Sequence, residues 1–591
     1  MRSDAIDREA IRMMEELDQE GAAEVQAVFH FPFSISDEGI FFIKDDADPV
    51  RLAARVDVVA ATRDDQNENW GKLLRWKDSE GQEHQWPMPL ELLATDTGAV
   101  RARLLNGGLS FVTTNPRYRE RFAEYLQTAP VTRRARCVTR IGWHGNTFVL
   151  PDVAIGPADA EETLYQPPHD AIHHWTTKGT AAEWRDEVGR LCSGNSRLII
   201  AVACGFAGPL LSLVGAESGG VHFHGSTSTG KSTTLIVGGS VCGGGGQAGF
   251  AQTWRTTANG LEAIAEAHND GALFLDELSQ VDPTQATEIA SLLGNGQGKA
   301  RMTRAIGARK RLRWALLFVS AGEMTLAEHS ASGGKRTKGG AEVRLLNIDA
   351  DAGQGLGLFE NLHGTARPDE FARELKSRAL RYFGAPFRAF VERITQDRGG
   401  VGRFVRSMRE SFVRRLVPSG GSGELKRAAD RFALIGTAGE LATKWGLTGW
   451  SEGEAAGAAE RCFKEWVKVR GTTGSSDTEA AIRQIRAFLG AYGDSRFQAL
   501  NPGSPETPRI PNRAGFKRVN DEGETEYLIL LEAFRNELCA GFSSGSVLKE
   551  LDRCHLLVRD HRNMTVKPRL PGLGSPRVYC IREAILEDEE C

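Results

Sequence analysis

The stretch VHFHGSTSTGKSTTL, residues 221–235, decides the fold of this chain. A short strand comes first, a turn bounded by glycines follows, and an apolar helix begins directly after the turn. The turn matches the GxxxxGK[ST] pattern of a phosphate-binding loop, in the strand-to-helix setting that the pattern requires. An accidental glycine-rich turn is the alternative, and the setting on both sides makes it the weaker interpretation.

The residues of this loop predict a site for ATP and Mg²⁺. Backbone N–H groups and the positive end of the following helix would surround the phosphates. Lys231 would reach the β- and γ-phosphates, and Ser232 would hold Mg²⁺. The predicted nucleotide-binding residues are Gly225, Ser226, Thr227, Ser228, Thr229, Gly230, Lys231, Ser232 and Thr233.

A second apolar strand, ALFLDE at residues 272–277, ends in two carboxylates, the first of them 45 positions after Lys231. Asp276 would complete the Mg²⁺ shell, and Glu277 would polarise the attacking water. A pair of acids at a strand end is usually an exposed surface feature. Because it follows the phosphate loop at this spacing, we predict ATP hydrolysis rather than nucleotide binding alone.

A third apolar strand, ALLFV at residues 315–319, leads to Ser320, where ring-forming ATPases place a polar sensor of the γ-phosphate. Asn or Thr is more usual there, and Ser320 is the predicted sensor. The glycine-rich basic segment that follows ends in Arg344, which we predict as an arginine finger that reaches a neighbouring subunit's nucleotide. Lys335 and Arg336 are rivals for this role, and a solvated loop is the alternative.

The segment GKARMTRAIGARKRLRW, residues 298–314, contains seven basic residues and no acidic one. The central Gly307 suggests a β-hairpin that would project into the pore of a ring and contact nucleic-acid phosphates. A solvated basic surface is the alternative. The predicted DNA-binding residues are Lys299, Arg301, Arg304, Arg309, Lys310, Arg311 and Arg313.

Composition limits the classes of protein that remain. The chain has 591 residues, 41% of them hydrophobic, which excludes a disordered chain, and 77 acidic against 73 basic side chains leave a net charge of −4. Affinity for DNA must therefore come from local clusters. Nine scattered cysteines without a CxxC spacing argue against a disulfide framework or a zinc site. No apolar stretch reaches the ~18 residues of a membrane span uninterrupted, so we expect a cytoplasmic protein without a membrane partner.

Changes in the pattern of apolar and turn-forming residues along the chain predict five regions. They are a leading helix at 1–27, a β-rich domain at 28–155, the ATPase domain at 156–395, a helical lid at 396–475, and a C-terminal domain at 476–591. In the last region, two helices and two strands around PGLGSP predict a winged helix, which binds duplex DNA or contacts protein. Its available basic residues are Lys549, Arg553, Arg559, Arg562, Lys567, Arg569 and Arg577.

With these residues in view, the chain resembles the helicase-like ATPases of phages, plasmids and integrative elements, including staphylococcal cassette chromosomes, whose core is catalogued as a domain of unknown function. The similar segments include GWHGNTFVLPD, NSRLIIAVACGFAGPLL, VSAGE, EVRLLNID and DRFALIGTAGELATKWGLTGW. The later segments are more diagnostic than the Walker motifs, which many unrelated ATPases share.

The resemblance implies an α/β P-loop NTPase core of the AAA+ type, similar to superfamily-three and minichromosome-maintenance helicases. It also implies a homo-hexameric ring that acts on single-stranded and forked DNA, with a primase or other replication proteins as further partners. The catalytic set would be Lys231, Asp276 and Glu277, with Ser320 as sensor and Arg344 acting in trans. The segment DRFALIG would offer Arg431 or Arg427 as a second sensor.

Two functions are therefore open. In the first, ATP hydrolysis moves the ring along single-stranded DNA and unwinds duplex during replication of a phage or mobile element. In the second, the chain is a nucleotide-operated switch or loader that assembles on DNA or a partner without unwinding. The N-terminal domain shows no carboxylate cluster typical of a primase or polymerase, so we expect a scaffolding or DNA-guiding role for it.

Overall fold

The computed structural model describes residues 32–44, 47–158, 160–166, 173–245, 249–300, 311–335, 339–470, 476–500, 510–561 and 563–587. The leading helix predicted at 1–27 lies outside the described residues. The chain divides into two compact units, residues 1–172 and 173–591, and each is described by itself.

Strands dominate the first unit. Three sheets have the orders β1-β2-β3, β11-β7-β4-β5-β6 and β10-β9-β8. The strands are β1 Phe33–Ser36, β2 Gly39–Lys44, β3 Ala47–Ala53, β4 Asp57–Arg63, β5 Gly71–Lys77, β6 Glu83–Pro89, β7 Arg134–Val138, β8 Gly142–His144, β9 Thr147–Val149, β10 Ala154–Ile155 and β11 Glu162–Tyr165. The helices are α1 Glu91–Thr95, α2 Thr97–Asn106 and α3 Pro116–Thr128.

Aromatic side chains anchor the helices of this unit to its strands. Trp76 in β5 is buried, and its indole Nε1 donates to the carbonyl of Gly107, 2.8 Å away, at the end of α2. Tyr125 in α3 is fully buried, and its hydroxyl donates to the carbonyl of Val56 at 2.7 Å. Both rings therefore bury a large apolar surface and still satisfy their polar atom.

The boundary between the units lies later than the sequence predicts. We expected the β-rich domain to end at residue 155, but β11 pairs in parallel with β7 in the central sheet of the first unit. Residues 156–166 therefore belong with this unit, and the division falls after residue 172. The short apolar run of β11 gave no local sign that its partner lies more than twenty positions earlier in the chain.

The second unit is built around a parallel sheet with the strand order β13-β14-β15-β12-β16. The strands are β12 Gly219–His224, β13 Gln252–Thr253, β14 Gly271–Asp276, β15 Leu316–Gly322 and β16 Leu345–Asp349. Every residue of β15 is buried, as are the first five of β14. This burial explains the continuous apolar runs in the sequence, because helices cover both faces of such a sheet.

Helices surround this sheet. Those before and between its strands are α4 Ala181–Trp184, α5 Arg190–Cys192, α6 Ser196–Val214, α7 Lys231–Gly239, α8 Ala258–Glu266, α9 Ala286–Asn295, α10 Leu326–Ser332 and α11 Gly339–Glu342. After the sheet come α12 Pro368–Ala379, α13 Ala385–Gln396, α14 Arg398–Leu416, α15 Gly423–Lys444 and α16 Glu454–Arg470.

Helix α6 is the core helix of the second unit. Among the described residues it is the one helix long and apolar enough to cross a membrane, but 83% of its apolar window is buried inside the protein. A side-chain carbon at Gly208 would lie 2.4 Å from the backbone of Gly271 at the start of β14. The glycine in this helix therefore permits a close approach between helix and sheet.

The C-terminal region contains α17 Ser476–Tyr492, α18 Leu531–Ala533, α19 Ser544–Arg553 and the strands β17 Phe497–Ala499, β18 Gly515–Val519, β19 Thr525–Leu530, β20 Leu557–Val558 and β21 Val578–Arg582. One sheet joins them in the order β17-β18-β19-β21-β20. The second predicted helix occurs as α19, whereas the first is the short α18 continued by a π-helix over Phe534–Leu538. Strands β17 to β19 were not expected, and the winged helix stays a prediction. The segment before PGLGSP forms isolated bridges, Val566 with Val578 and Leu570 with Gly574, rather than a full strand.

Candidate nucleotide site

The phosphate loop connects the end of β12 to the start of α7. Gly225 and Gly230 have φ angles of 147° and 100°, and Ser228 has a φ of 63°. Only glycine adopts the first two conformations without strain, so the two glycines of the motif are required by the turn itself. Ser226, Thr227 and Ser228 are exposed, and the first turn of α7 presents its N–H groups beside them.

Lys231 folds back over its own loop. Its Nζ donates to the carbonyls of Gly225 and Ser226 at 2.9 and 2.5 Å and to the hydroxyl of Thr229 at 3.2 Å. Burial lowers the pKa of Lys231, while the negative charges of Glu323 and Asp276 act in the opposite direction. The lysine is thus held inside the loop, with two carboxylates close enough to influence it.

Parallel strands bring the predicted carboxylates to the same side of the sheet as the loop. We call the side where β12, β14, β15 and β16 end the carboxyl edge, and the side where they begin the amino edge. Asp276 is the last residue of β14 and is half-buried, whereas Glu277 is exposed. The structure therefore places Lys231, Ser232, Asp276 and Glu277 at the carboxyl edge, and their roles toward Mg²⁺ and water stay predictions.

Glu277 adopts an unusual backbone conformation. Its φ is 61°, a left-handed value that is uncommon for a residue other than glycine, asparagine or aspartate. The side chain accepts a hydrogen bond from the amide of Gln280, and the backbone N–H donates to Asp276 Oδ1 at 3.0 Å. Such a conformation costs free energy and is maintained at sites where it re-aims a side chain.

Ser320 lies inside the sheet and not at its edge. It pairs with His222, two residues before β12 ends, and it is fully buried. Its hydroxyl accepts from Trp254 Nε1 at 2.9 Å and contacts His222 Nδ1 at 2.9 Å. The hydroxyl is therefore engaged within the protein and does not face the phosphate loop, and the sensor role of Ser320 stays a prediction.

A chain of hydrogen bonds runs through Ser320 to the end of its strand. His222 Nε2 lies 2.9 Å from the carbonyl of Met324, so this nitrogen donates and Nδ1 accepts from the Ser320 hydroxyl. Burial lowers the pKa of His222 to about 4, which keeps the ring neutral as this arrangement requires. The neutral histidine thereby fixes the backbone directly after Glu323.

Glu323 is the residue that sequence analysis missed. Strand β15 continues through Gly322, which pairs with His224 immediately before the phosphate loop. The first polar side chain beyond the strand is therefore Glu323, which is exposed at the end of β15, the strand between β12 and β14. The signal was present in the segment VSAGE, but the strand was expected to end three residues too early.

The segment after β16 packs on the phosphate loop, a contact that the sequence did not indicate. The N–H of Ala350 donates to the carbonyl of His224 at 2.7 Å, and the N–H of Leu358 donates to the carbonyl of Thr229 at 3.0 Å. Three glycines between them, at 353, 355 and 357, have positive φ angles. The glycine-rich turn therefore supports the loop from the side of β16.

A buried arginine joins this supporting segment to the helical region. Arg197 in α6 is 1% exposed, and its guanidinium donates to the carbonyls of Asp349 and Asp351, both at 3.1 Å. The same group forms an ion pair with Glu465 in α16 at 2.6 Å. Movement of the supporting segment would therefore be transmitted to α16, because the arginine is bonded to both.

Arg344 lies at the amino edge. Its carbonyl accepts from Gly220 N–H at 2.8 Å at the beginning of β12. Its guanidinium donates to Asn295 Oδ1 at 3.0 Å and to the carbonyl of Gly340 at 2.6 Å. Arg344 is thus remote from the phosphate loop of its own chain. Of its rivals, Lys335 is exposed and Arg336 lies outside the described residues.

The hypothesis that Arg431 or Arg427 is a second sensor is wrong for the nucleotide bound by the same chain. Arg431 is buried, and its guanidinium donates to the carbonyls of Ser218 and Val343 where β12 and β16 begin. Arg427 lies one helical turn earlier on α15. Both arginines are therefore at the amino edge, opposite the phosphate loop, because α15 packs along the starts of the strands.

The two ends of the predicted basic hairpin pair with each other. Gln297 and Arg313 form an antiparallel bridge, and Gly298 N–H donates to the carbonyl of Leu312 at 3.0 Å. Lys299 forms an ion pair with Glu288 at 2.7 Å, and Arg311 is exposed. Arg301, Arg304, Arg309 and Lys310 lie outside the described residues, so their contact with DNA stays a prediction.

In the C-terminal region, four of the predicted DNA-facing cations are exposed. They are Lys549, Lys567, Arg569 and Arg577. Two others pair with acids nearby: Arg553 with Glu550 at 2.5 Å and Arg559 with Asp552 at 3.1 Å. Arg562 lies outside the described residues.

Comparisons with known proteins agree with this architecture. Residues 33–313 match the family model described as domain of unknown function (DUF927). The whole chain is similar to a solved structure described as "SCCmec type IV Cch - active helicase", with a TM-score of 0.69 and 17% sequence identity, over 95% of this chain and 99% of that chain. The expected resemblance is thus confirmed, and at this identity the likeness to the solved structure shows a shared fold.

A second solved structure, NtrX from Brucella abortus in complex with ATP, matches with a TM-score of 0.18 and 12% identity, over 58% of this chain and 92% of that chain. A TM-score of this size indicates no shared overall fold. No curated protein matches the sequence.

Proposed function

From the match of residues 33–313 to the DUF927 family model, we propose that the protein is an ATP-driven DNA helicase or translocase. It works as a homo-oligomeric ring, a hexamer, in the cytoplasm, during replication of a phage or mobile genetic element. The observation that carries this proposal is the convergence of the phosphate loop with Asp276 and Glu277 at the carboxyl edge.

The chemistry follows from what each group at that edge can do. Loop N–H groups and Lys231 would neutralise the triphosphate of ATP, and Ser232 and Asp276 would hold Mg²⁺. Glu277 accepts a proton from the attacking water or orients it, and Glu323 adds a second carboxylate beside Lys231. Mg²⁺ supplies charge neutralisation at the β- and γ-phosphates when bound.

Coupling to DNA is supported by the position of the hairpin. Its base starts directly after α9 and ends directly before β15, which is the strand that reaches Glu323. Trp314 at the base is buried, and its Nε1 donates to the carbonyl of Leu293 at 3.0 Å. A change at the carboxyl edge can therefore reach the hairpin through one rigid strand, and the basic tip would move along single-stranded DNA.

The test measures ATPase rate with and without single-stranded DNA, together with strand displacement on a forked duplex. We expect DNA to stimulate hydrolysis and the forked duplex to be unwound only with ATP and Mg²⁺. The second candidate is an ATP-operated switch or loader, favoured by the contact between α16 and the loop-supporting segment through Arg197. DNA-stimulated hydrolysis without strand displacement or translocation would favour that alternative.

A further inference from the structure

A cavity whose lining does not include Arg344 opens at the amino edge. It has a volume of about 570 Å³ and lies between α14, α15 and the loop that joins α6 to β12. We call it the cationic cavity. Its charged lining residues are Glu217, Arg409, Glu410, Arg414, Lys426, Arg427, Asp430 and Arg431.

The positive charges of the cavity exceed the negative ones. Asp430 is neutralised by Arg409, whose Nε donates to Oδ1 at 2.9 Å in a two-point ion pair. Arg414, Lys426 and Arg427 are exposed, and none of their side chains forms an ion pair or hydrogen bond within the part of the chain that the structure describes. Four cations therefore remain against the two carboxylates Glu217 and Glu410.

Arg431 forms the floor of the cavity. It is 6% exposed, and its two terminal nitrogens are bonded to backbone carbonyls of the strands, one of them Ser218 at 3.2 Å. Its Nε is buried without a hydrogen-bond partner among the described residues. Burying a charged guanidinium without a carboxylate bonded to it is costly, and an anion in the cavity would offset part of that cost.

The cavity adjoins the base of the basic hairpin. Ser218, whose carbonyl binds Arg431, also accepts at its hydroxyl from Leu316 N–H at 3.2 Å. Leu316 begins β15, two residues after Trp314, which pairs with Gly296 across the hairpin base. The next residue toward the cavity, Glu217, lines it. The hairpin and the cavity are thus joined through a few residues at the amino edge.

We propose that the cationic cavity binds a phosphate group, with Arg414 and Arg427 as its principal ligands. Arginine is suited to this because its planar donors match two phosphate oxygens at once. The phosphate would belong either to the backbone of single-stranded DNA that passes the hairpin or to the nucleotide of a neighbouring subunit. This inference rests on the proposed function, but the site itself can be tested without it.

The first experiment uses inorganic tripolyphosphate on full-length protein that carries Lys231→Ala, which weakens the phosphate loop as a competing site. Ligand that binds only the folded state raises the thermal unfolding midpoint. We expect a rise that is lost when Arg414→Gln and Arg427→Gln are added. It should persist with the control pair Arg403→Gln and Lys468→Gln, exposed cations of α14 and α16 outside the cavity.

No rise in the Lys231→Ala protein, or an equal rise with both pairs of substitutions, would overturn the proposal. Unfolding midpoints without ligand show whether each variant is folded. Because this experiment needs neither ATP turnover nor unwinding, its outcome is separate from that of the helicase assays. A protein with no DNA-stimulated ATPase but a cavity-dependent rise would contradict the proposed function and support the phosphate site.

The second experiment identifies the source of the phosphate, with Lys231 intact. If the phosphate belongs to DNA, Arg414→Gln and Arg427→Gln together should flatten the slope of log affinity for oligothymidylate against log salt. The expected change is about 1.4, since each single-strand contact contributes roughly 0.7. If the phosphate belongs to a neighbouring subunit's nucleotide, the Arg414→Gln and Arg427→Gln protein should show the same salt slope as the control protein but a lower ATP turnover. Mixing it with Lys231→Ala subunits should then restore turnover. A slope and a turnover that both equal those of the control pair would overturn the proposal.

Discussion

The carboxyl and amino edges of the core sheet differ in the chemistry that they present. At the carboxyl edge Lys231 lies under the influence of the carboxylates Asp276 and Glu323, whereas at the amino edge Arg344 and Arg431 donate to backbone carbonyls. Carboxylates suit a metal and an attacking water, and arginines suit phosphates. The same sheet can therefore hold a nucleotide at its carboxyl edge and present cations to another molecule at its amino edge.

Substitution of Lys231 at the carboxyl edge should have the largest effect on ATP turnover. We expect Lys231→Ala to abolish ATP turnover, because the loop backbone alone cannot replace the ammonium that neutralises the β- and γ-phosphate charge. The measurement is phosphate release by the purified protein. Turnover near the wild-type rate would end the assignment of the carboxyl edge as the nucleotide site.

At the amino edge, Arg344→Ala should lower turnover by about 10³-fold if the residue is an arginine finger, without loss of nucleotide binding. Rings mixed from Arg344→Ala and Lys231→Ala subunits should recover part of the activity, since each chain supplies what the other lacks at a shared interface. Both variants must first be shown to assemble by mass measurement. Assembled mixtures that stay inactive at every ratio contradict the trans role.

Within the carboxyl edge, Glu277 and Glu323 should be distinguishable. Loss of a group that handles the proton of water costs about 10²–10⁴-fold, so Glu277→Gln should bind ATP and trap an ATP-bound ring. Glu323→Gln should lower kcat by a smaller factor. Ser320→Ala removes a buried hydroxyl between Trp254 and His222. It should lower the thermal unfolding midpoint clearly and change kcat little.

If Ser320 were the sensor, Ser320→Ala should lower kcat more than Glu323→Gln does. Comparison of kcat, ATP affinity and thermal midpoint for the three variants decides between the two residues. A Glu323→Gln protein with unchanged kcat, beside a folded Ser320→Ala protein with a large loss of kcat, would support Ser320 as the sensor.

The basic hairpin should affect DNA rather than ATP. Charge reversal at Arg309, Lys310 and Arg311 should weaken binding to single-stranded DNA and flatten its salt dependence by about 2, at roughly 0.7 per phosphate contact. Basal ATPase without DNA should stay near wild type, because the carboxyl edge is untouched. Filter binding across a salt series tests this, and an intact ring with unchanged affinity and slope would remove the hairpin from the DNA path.

The smallest effect concerns acid stability. Burial lowers the pKa values of His222 and His268 to about 4, from an ordinary value of 6.5, so the folded state favours their neutral forms. The unfolded state binds more protons, and stability is therefore lost as pH falls from about 6.5 toward 4. The thermal midpoint of folded His268→Gln should depend less on pH across this window than that of wild type. Equal pH dependence of the two proteins would exclude His268 as a source of the acid sensitivity.

The sequence alone predicts the nucleotide site because its chemistry is local. A glycine-bounded turn between strand and helix, and two acids at the end of an apolar run, need only a few neighbouring residues to be recognised. The hairpin base was also predicted from one continuous segment, and its ends pair in the structure. The family resemblance, which the comparisons confirm, and the phosphate loop beside the parallel sheet rest on motifs of the same local kind.

Tertiary structure decided what depends on distant residues. Ser320 and Glu323 are three positions apart, and only the register of β15 against β12 shows which of them reaches the edge. Arg431 stands on a helix more than two hundred residues beyond Ser218, yet packing places it at the opposite edge from the loop. The cationic cavity likewise combines three separate segments. Strand register and helix packing are set by the whole buried core, so no local pattern reveals them.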